Sequence, residues 1–200
     1  INICNEFGIH HYKSWNNVSL KKAIEDHLDS IENAEESDEC QKLKLGELFA
    51  GTGGFSFAFE NTQKVVTVFA NDMNKSCKQF YDLNFPTCEM TLKDINDFDI
   101  EQIPDIDILT FGSPCQSFSV AGQRKGFKDP RGNVFWRIIE ILQLKKPKCF
   151  IMENVKNLVS HDSGKTFKIM LKNFKKLKYH TTYKILNTCK YTDIPQNRER

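Results

Sequence analysis

Leu45-Gly46-Glu47-Leu48-Phe49-Ala50-Gly51-Thr52-Gly53-Gly54-Phe55 carries a short apolar run straight into a cluster of glycines. The run reads as a strand over residues 45–49. Glycines directly after a strand allow a tight turn into a helix and let backbone N–H groups approach a ligand. The same glycines also suit a strand-to-helix turn that binds nothing. About twenty residues further on, after a second apolar run, stands Asn71-Asp72, and a carboxylate at that place can accept hydrogen bonds from ribose hydroxyls.

Outward from this stretch, strand and helix signals alternate. Short apolar runs at 45–49, 65–71, 106–111, 149–153 and 183–187 read as strands, and 55–60, 75–84, 133–144 and 165–177 read as helices. Such alternation predicts an α/β, doubly wound, mostly parallel sheet covered on both faces, with ligands gathered at the carboxyl ends of the strands. Residues 45–200 are expected to form this domain and residues 1–44 an extension. In the extension Ser19 caps a helix with an apolar face of Leu20, Ile24, Leu28 and Ile31, followed by an acidic linker over 32–39. His10 and His11 have nothing to complete a ligand set. The chain opens on Ile1, so its true start is expected to lie upstream.

The composition of the 200 residues, 40% hydrophobic and 27% charged, is that of a soluble globular domain. No apolar run approaches a membrane span and no secretory pattern opens the chain, which points to a cytoplasmic or nucleoid-associated protein. A net charge of +2 says little about partners. Basic residues gather at Arg124-Lys125, at Lys145, Lys146 and Lys148, and over 172–178; the last two groups read as solvated faces, the first as a candidate phosphate contact. Seven scattered cysteines without CxxC spacing suggest neither a zinc site nor a disulfide framework.

One cysteine stands apart. Cys115 lies in Gly112-Ser113-Pro114-Cys115-Gln116-Ser117-Phe118-Ser119, directly after the 106–111 run, on a loop at the carboxyl edge of the sheet. Small polar neighbours, a stiffening Pro114 and the basic segment Gln123-Arg124-Lys125-Gly126 favour a reactive thiolate, whereas the other six cysteines read as inert core residues. Glu153-Asn154-Val155 ends the 149–153 run and puts a carboxylate at the same edge; alone it is an ordinary loop acid. Gln196-Asn197-Arg198-Glu199-Arg200 puts alternate arginines on one face of an extended segment; alone it is a polar tail. Gly164-Lys165-Thr166 mimics the end of a phosphate loop, but Val159 stands where the earlier glycine is required.

Together, FAGTGGF, GSPCQSFS with its continuation SVAGQRKGFKDPRG, ENV and QNRER resemble, in order and spacing, the DNA cytosine-5 methyltransferase family over about residues 44–200. The resemblance implies S-adenosylmethionine as cofactor and DNA as partner. It implies methyl transfer to carbon 5 of a cytosine flipped out of the duplex, through a covalent bond from Cys115 to carbon 6. Glu153 is then expected at ring nitrogen 3, and Arg198 and Arg200 near the base, with Arg200 on the carbonyl oxygen. Phe49, Gly51 and Gly53 are expected to line the cofactor site. Asp72 would hold the ribose, Met73 would pack the adenine, Asp94 would contact its amine, and Gly112 and Pro114 would complete the wall. No metal is implied.

Three positions depart from the family pattern: Glu47 stands where Asp is usual, Asp72 where Glu is usual, and Met73 where an aromatic or bulky residue often packs the adenine. Family members also continue beyond the position of Arg200 into a further strand, a target-recognition region and closing motifs. The resemblance therefore implies a fold incomplete at the C-terminus, with the 183–187 strand lacking its neighbour, and these residues alone are expected to be poorly stable and inactive. A restriction–modification or viral modification system is the setting by analogy. The alternatives are a transfer-RNA cytosine methyltransferase, a non-catalytic module of the same fold, and a thiol hydrolase using Cys115. Recognised sequence and oligomeric state are not legible.

Overall fold

The computed structural model describes residues 42–113 and 134–200. The expected helix and linker of the extension therefore lie outside the described residues, as do Pro114, Cys115 and the Arg124-Lys125 pair. Leu43–Arg200 cluster as one compact unit.

Five strands make one sheet: β1 Leu43–Leu48, β2 Val65–Asp72, β3 Thr91–Leu92, β4 Ile108–Phe111 and β5 Cys149–Met152. Their order is β3-β2-β1-β4-β5 and every ladder is parallel. The chain grows outward from β1 to one side through β2 and β3, then returns to its other side with β4 and β5. The order reverses between β1 and β4, where such sheets open a crevice at their carboxyl edge.

Helices cover both faces. β4 shows why: Leu109 and Phe111 point to one side and join Phe135, Ile138, Ile141 and Leu142 of the helix α3 (Val134–Lys145) and Met170 and Phe174 of α4 (Lys165–Lys176). Ile108 points to the other side and packs with Leu45 and Val65 against Phe59 of α1 (Gly54–Glu60). On that side Tyr81 and Phe85, from α2 (Lys75–Asn84) and its C-cap, pack with Ala50, Ala70, Cys88 and Met90. Each large apolar side chain so buried is worth about 1.5–3 kcal/mol. Asn74 starts α2 by accepting the N–H groups of Ser76 and Cys77 on its own side chain. Gly164, at φ +80°, starts α4 as its N-cap and not as a phosphate loop.

The segment over residues 183–187 is not the strand expected from its apolar run. A strand needs a ladder partner, and here the backbone groups go elsewhere. Leu186 exchanges both its N–H and C=O with Arg200 at 2.8 Å, Thr188 N–H donates to Arg198 O, and Asn187 bridges Glu199 antiparallel. The segment thus pairs with the QNRER stretch and leaves Tyr183 exposed. The short strand β3 went unread for the opposite reason: Thr91-Leu92 has no apolar run. Cysteine burial also departs from expectation, since Cys88 is buried but Cys149 and Cys189 are exposed. Lys145 donates to Glu101 O and Lys148 pairs with Asp107, so that basic group is partly tied down.

Candidate active site

The glycine turn is held open from behind. Gly53 sits at φ +84° with the Phe85 ring against its Cα; a Cβ there would lie 2.3 Å from Phe85 Cε2. Helix α1 has no cap of its own, and β1 supplies one. Glu47, 2% exposed, accepts the N–H groups of Phe55 and Ser56 at 3.2 and 3.0 Å and also the Ser56 hydroxyl. Ser56 Oγ in turn lies 2.9 Å from the Tyr81 hydroxyl. Burial raises the Glu47 carboxyl above its ordinary value, against the opposing pull of its bonds to Ser56 and Phe55.

Gly51 sits on the other side of the turn, at φ +55°, with no atom within 4 Å of where a Cβ would stand. Its N–H donates to Asp72 Oδ2 at 2.9 Å, and Asp72 Oδ1 takes the N–H of Asn74 at 2.8 Å. Phe49 leaves the strand at φ +55° and packs its half-buried ring on the main core. Met73, beside Asp72, is 71% exposed. Asp94 follows β3 and binds Asn96 through Oδ1 alone. These side chains stand at the carboxyl ends of β1, β2 and β3.

The second half of the site lies at the ends of β4 and β5. Glu153 N–H donates to Phe111 O at 3.0 Å, and a Cβ on Gly112 would meet Glu153 Oε2 at 3.3 Å, so the missing side chain makes room for the carboxylate. Arg200 Nε lies 2.8 Å from Glu153 Oε1, with an Arg198 terminal nitrogen 3.4 Å from the same oxygen. Lys156 pairs with Glu199 at 2.7 Å, a second tie between the same two segments. Asn154 Nδ2 donates to Ser113 O at 3.0 Å and fixes the stem of the cysteine loop. Cys115 and Pro114 themselves lie outside the described residues.

Two separate motifs, ENV and QNRER, therefore meet at the end of the strand next to the one that leads into the cysteine loop. The family model for C-5 cytosine-specific DNA methylase matches residues 43–200. The chain belongs to that family.

Among its relatives, the type II methyltransferase M.NgoBI of Neisseria gonorrhoeae is 47% identical over 157 residues, covering 78% of this chain and 48% of that protein. The type II methyltransferase M.Bsp6I of Bacillus sp. (strain RFL6) is 43% identical over 159 residues, covering 79% and 50%. The chain spans about half the length of the curated relatives it matches. Among solved structures, S. pombe Dnmt2 methyltransferase superposes with a TM-score of 0.62 at 24% identity, over 80% of this chain and 48% of that one. That likeness is one of fold, and it agrees with the doubly wound methyltransferase architecture described above.

Glu47, where Asp is usual in the family, has a structural role in this chain. Its buried carboxylate accepts first-turn N–H groups of α1 and so caps the helix. Sequence reasoning assigned no part to Asn154, whose amide braces the cysteine-loop stem, nor to the Ser56–Tyr81 pair behind the glycine turn. Only the adjacency of Asn154 to Glu153 pointed to it. Among the described residues no group of three or more His, Cys, Asp or Glu is arranged to hold a metal, and no helix is long and apolar enough to cross a membrane.

Proposed function

We propose that this chain carries the cofactor half and the catalytic half of a DNA cytosine-5 methyltransferase acting with S-adenosylmethionine. The observation that carries the reading is the meeting of Arg200 and Arg198 on Glu153 beside Gly112, with β4 alone between that strand and the one that leads into the glycine turn, in a chain of the C-5 cytosine-specific DNA methylase family. The residues fit the cofactor. The space beside Gly51 is open, Asp72 can accept a ribose hydroxyl as a further donor on either oxygen, and Asp94 Oδ2 has no partner among the described residues. Phe49, Gly51, Gly53 and Asp72 would hold the sugar and methionine parts, Met73 and Asp94 the adenine, and Gly112 and Pro114 the wall between cofactor and base. When bound, the cofactor supplies an electrophilic methyl group.

The chain's own residues prepare the cytosine. Cys115 thiolate adds to carbon 6, forming a carbon–sulfur bond and moving the ring π pair toward carbon 5, which becomes the nucleophile. Glu153 shares a proton with ring nitrogen 3, and Arg200 donates to the ring carbonyl oxygen, so that charge arising on the ring is met where it develops. Arg198 flanks the base and the cysteine loop. Once carbon 5 is methylated it loses its proton to a base; the pair of that carbon–hydrogen bond restores the ring double bond, and the carbon–sulfur pair leaves on the Cys115 thiolate. Carbon 6 is reached only by a base turned out of the duplex.

The test is trapping. An oligonucleotide duplex with 5-fluorocytosine in the recognised sequence blocks proton loss from carbon 5, so the full-length protein should form a stable covalent adduct with it in the presence of S-adenosylmethionine. Cys115→Ala should form none and transfer no methyl group. Unchanged methylation by Cys115→Ala would remove Cys115 from its role, and preferential methylation of transfer RNA would replace DNA as substrate.

A further inference from the structure

We propose that Asn71 is a positioning residue for nucleobase selectivity: its buried amide fixes the backbone that presents Asp94, so that the pocket takes a 6-amino purine in preference to a 6-oxo purine. The inference rests on the cofactor reading above and extends it to a residue that touches no ligand.

Asn71 is 1% exposed, an unusual place for an amide side chain. Its Nδ2 uses both hydrogens, donating to Thr91 O at 3.0 Å and to Lys93 O at 2.9 Å. Both acceptors are carbonyls, so the orientation of the amide is fixed. Its own backbone carbonyl accepts the N–H of Ala50 in the glycine turn at 3.0 Å. One residue thus ties the end of β2 to both neighbouring strand ends.

The tie to β3 matters most, because that strand is weakly held. β3 pairs with β2 over only two residues, Thr91 and Leu92. Beyond them the ladder adds one bond, Lys93 N–H to Asp72 O at 3.1 Å. Asn71 therefore supplies the hydrogen bonds that a longer strand would draw from its ladder. The carbonyl it grips on Lys93 belongs to the peptide plane that leads into Asp94. With that plane fixed, and Oδ1 of Asp94 bound to Asn96, Oδ2 is left as the oxygen free to accept. A carboxylate oxygen accepts from an exocyclic amine and repels a carbonyl oxygen at the same ring position, so selectivity follows from how firmly it is aimed.

The experiment is calorimetric titration of the full-length protein with S-adenosylhomocysteine and, separately, S-inosylhomocysteine, which differ at that ring position. The unaltered protein should prefer the adenine form about tenfold or more. In Asn71→Ala that ratio should fall at least about threefold, mainly through weaker binding of the adenine form. Asn71→Ser, which keeps one donor, should recover part of it. Adding Asn71→Ala to Asp94→Asn should change the ratio no further, because the carboxylate being aimed is already gone.

A purely structural role would weaken both ligands equally; an unchanged ratio in Asn71→Ala overturns the proposal. So does failure of both Asn71 variants to fold, which would make the amide a determinant of the fold alone. Equal binding of the two ligands by the unaltered protein would remove Asp94 from the base and the proposal with it. Failure of that protein to bind S-adenosylhomocysteine at all would instead defeat the cofactor reading.

Discussion

Arg200 Nε lies 2.8 Å from Glu153 Oε1, and the two backbone hydrogen bonds between Arg200 and Leu186 hold the arginine in that place. The contact is made by the nitrogen nearest the stem, and the terminal Nη1 donates to the Glu199 carbonyl at 2.9 Å. Arg198 reaches the same carboxylate at 3.4 Å through a terminal nitrogen. The two arginines are therefore not equivalent. In the full-length protein, Arg200→Ala should lower kcat by about a hundredfold or more, the range seen when a donor to developing charge is removed. Arg200→Lys should fall between, since it keeps the charge without the planar fork. Arg198→Ala should cost less. Initial rates of labelled methyl transfer to duplex DNA decide the order, and a larger loss in Arg198→Ala would reverse the assignment.

The two glycines of the turn predict opposite phenotypes. Gly53→Ala places a Cβ 2.3 Å from the Phe85 ring at a φ of +84°, and overpacking with backbone strain should cost about 3 kcal/mol or more of stability. Gly51→Ala meets no atom within 4 Å, so only its φ of +55° opposes it, and it should cost about 1 kcal/mol. Its methyl group would nonetheless enter the open space assigned to the cofactor. Urea denaturation should show Gly53→Ala as the destabilised variant, while S-adenosylhomocysteine titration should show Gly51→Ala as folded but weak in binding. Tight binding by Gly51→Ala would place the cofactor elsewhere.

Glu47 predicts a dependence on pH. Burial raises its carboxyl in the fold above the ordinary 4.5, so the folded state holds a proton that the unfolded chain gives up. The resulting stabilisation is complete below the unfolded value and is lost as pH rises through the folded one. Glu47→Gln cannot titrate, so its stability relative to the unaltered protein should climb as pH rises from 4.5 and then level off. A difference that stays flat with pH would show that the carboxyl does not titrate across this window. Glu47→Ala, which leaves buried donors of α1 unpaired, should cost about 1–3 kcal/mol.

Much of this arrangement was legible because local signals and global fold agree. Short apolar runs placed β1, β2, β4 and β5 and, through them, put Glu153 and the glycine turn at one edge of a sheet. The expectation that Arg198 and Arg200 share a site with Glu153 came from family resemblance, since the alternation that puts both arginines on one face does not say what that face meets. Two things escaped for physical reasons. The run at 183–187 has strand propensity, but propensity does not choose a partner, and its backbone bonds went to residues 198–200. Asn71, a polar residue at the end of an apolar run, carries no sequence signal of burial; only the positions of the Thr91 and Lys93 carbonyls reveal why an amide is buried there.

The reversal of strand order between β1 and β4 makes the sheet a ruler. The glycine turn, the stem of the cysteine loop and Glu153 leave three adjacent strands, so their spacing is set by ladders of about 4.8 Å and not by loop conformation. A slip of β4 or β5 by one residue would move a reactive group by about 3.3 Å and turn alternate side chains to the opposite face. Methyl donor and acceptor base would thus be kept in register by interior hydrogen bonds that touch neither. Substitutions deep in β4, remote from any ligand, should therefore disturb chemistry as readily as changes at the rim.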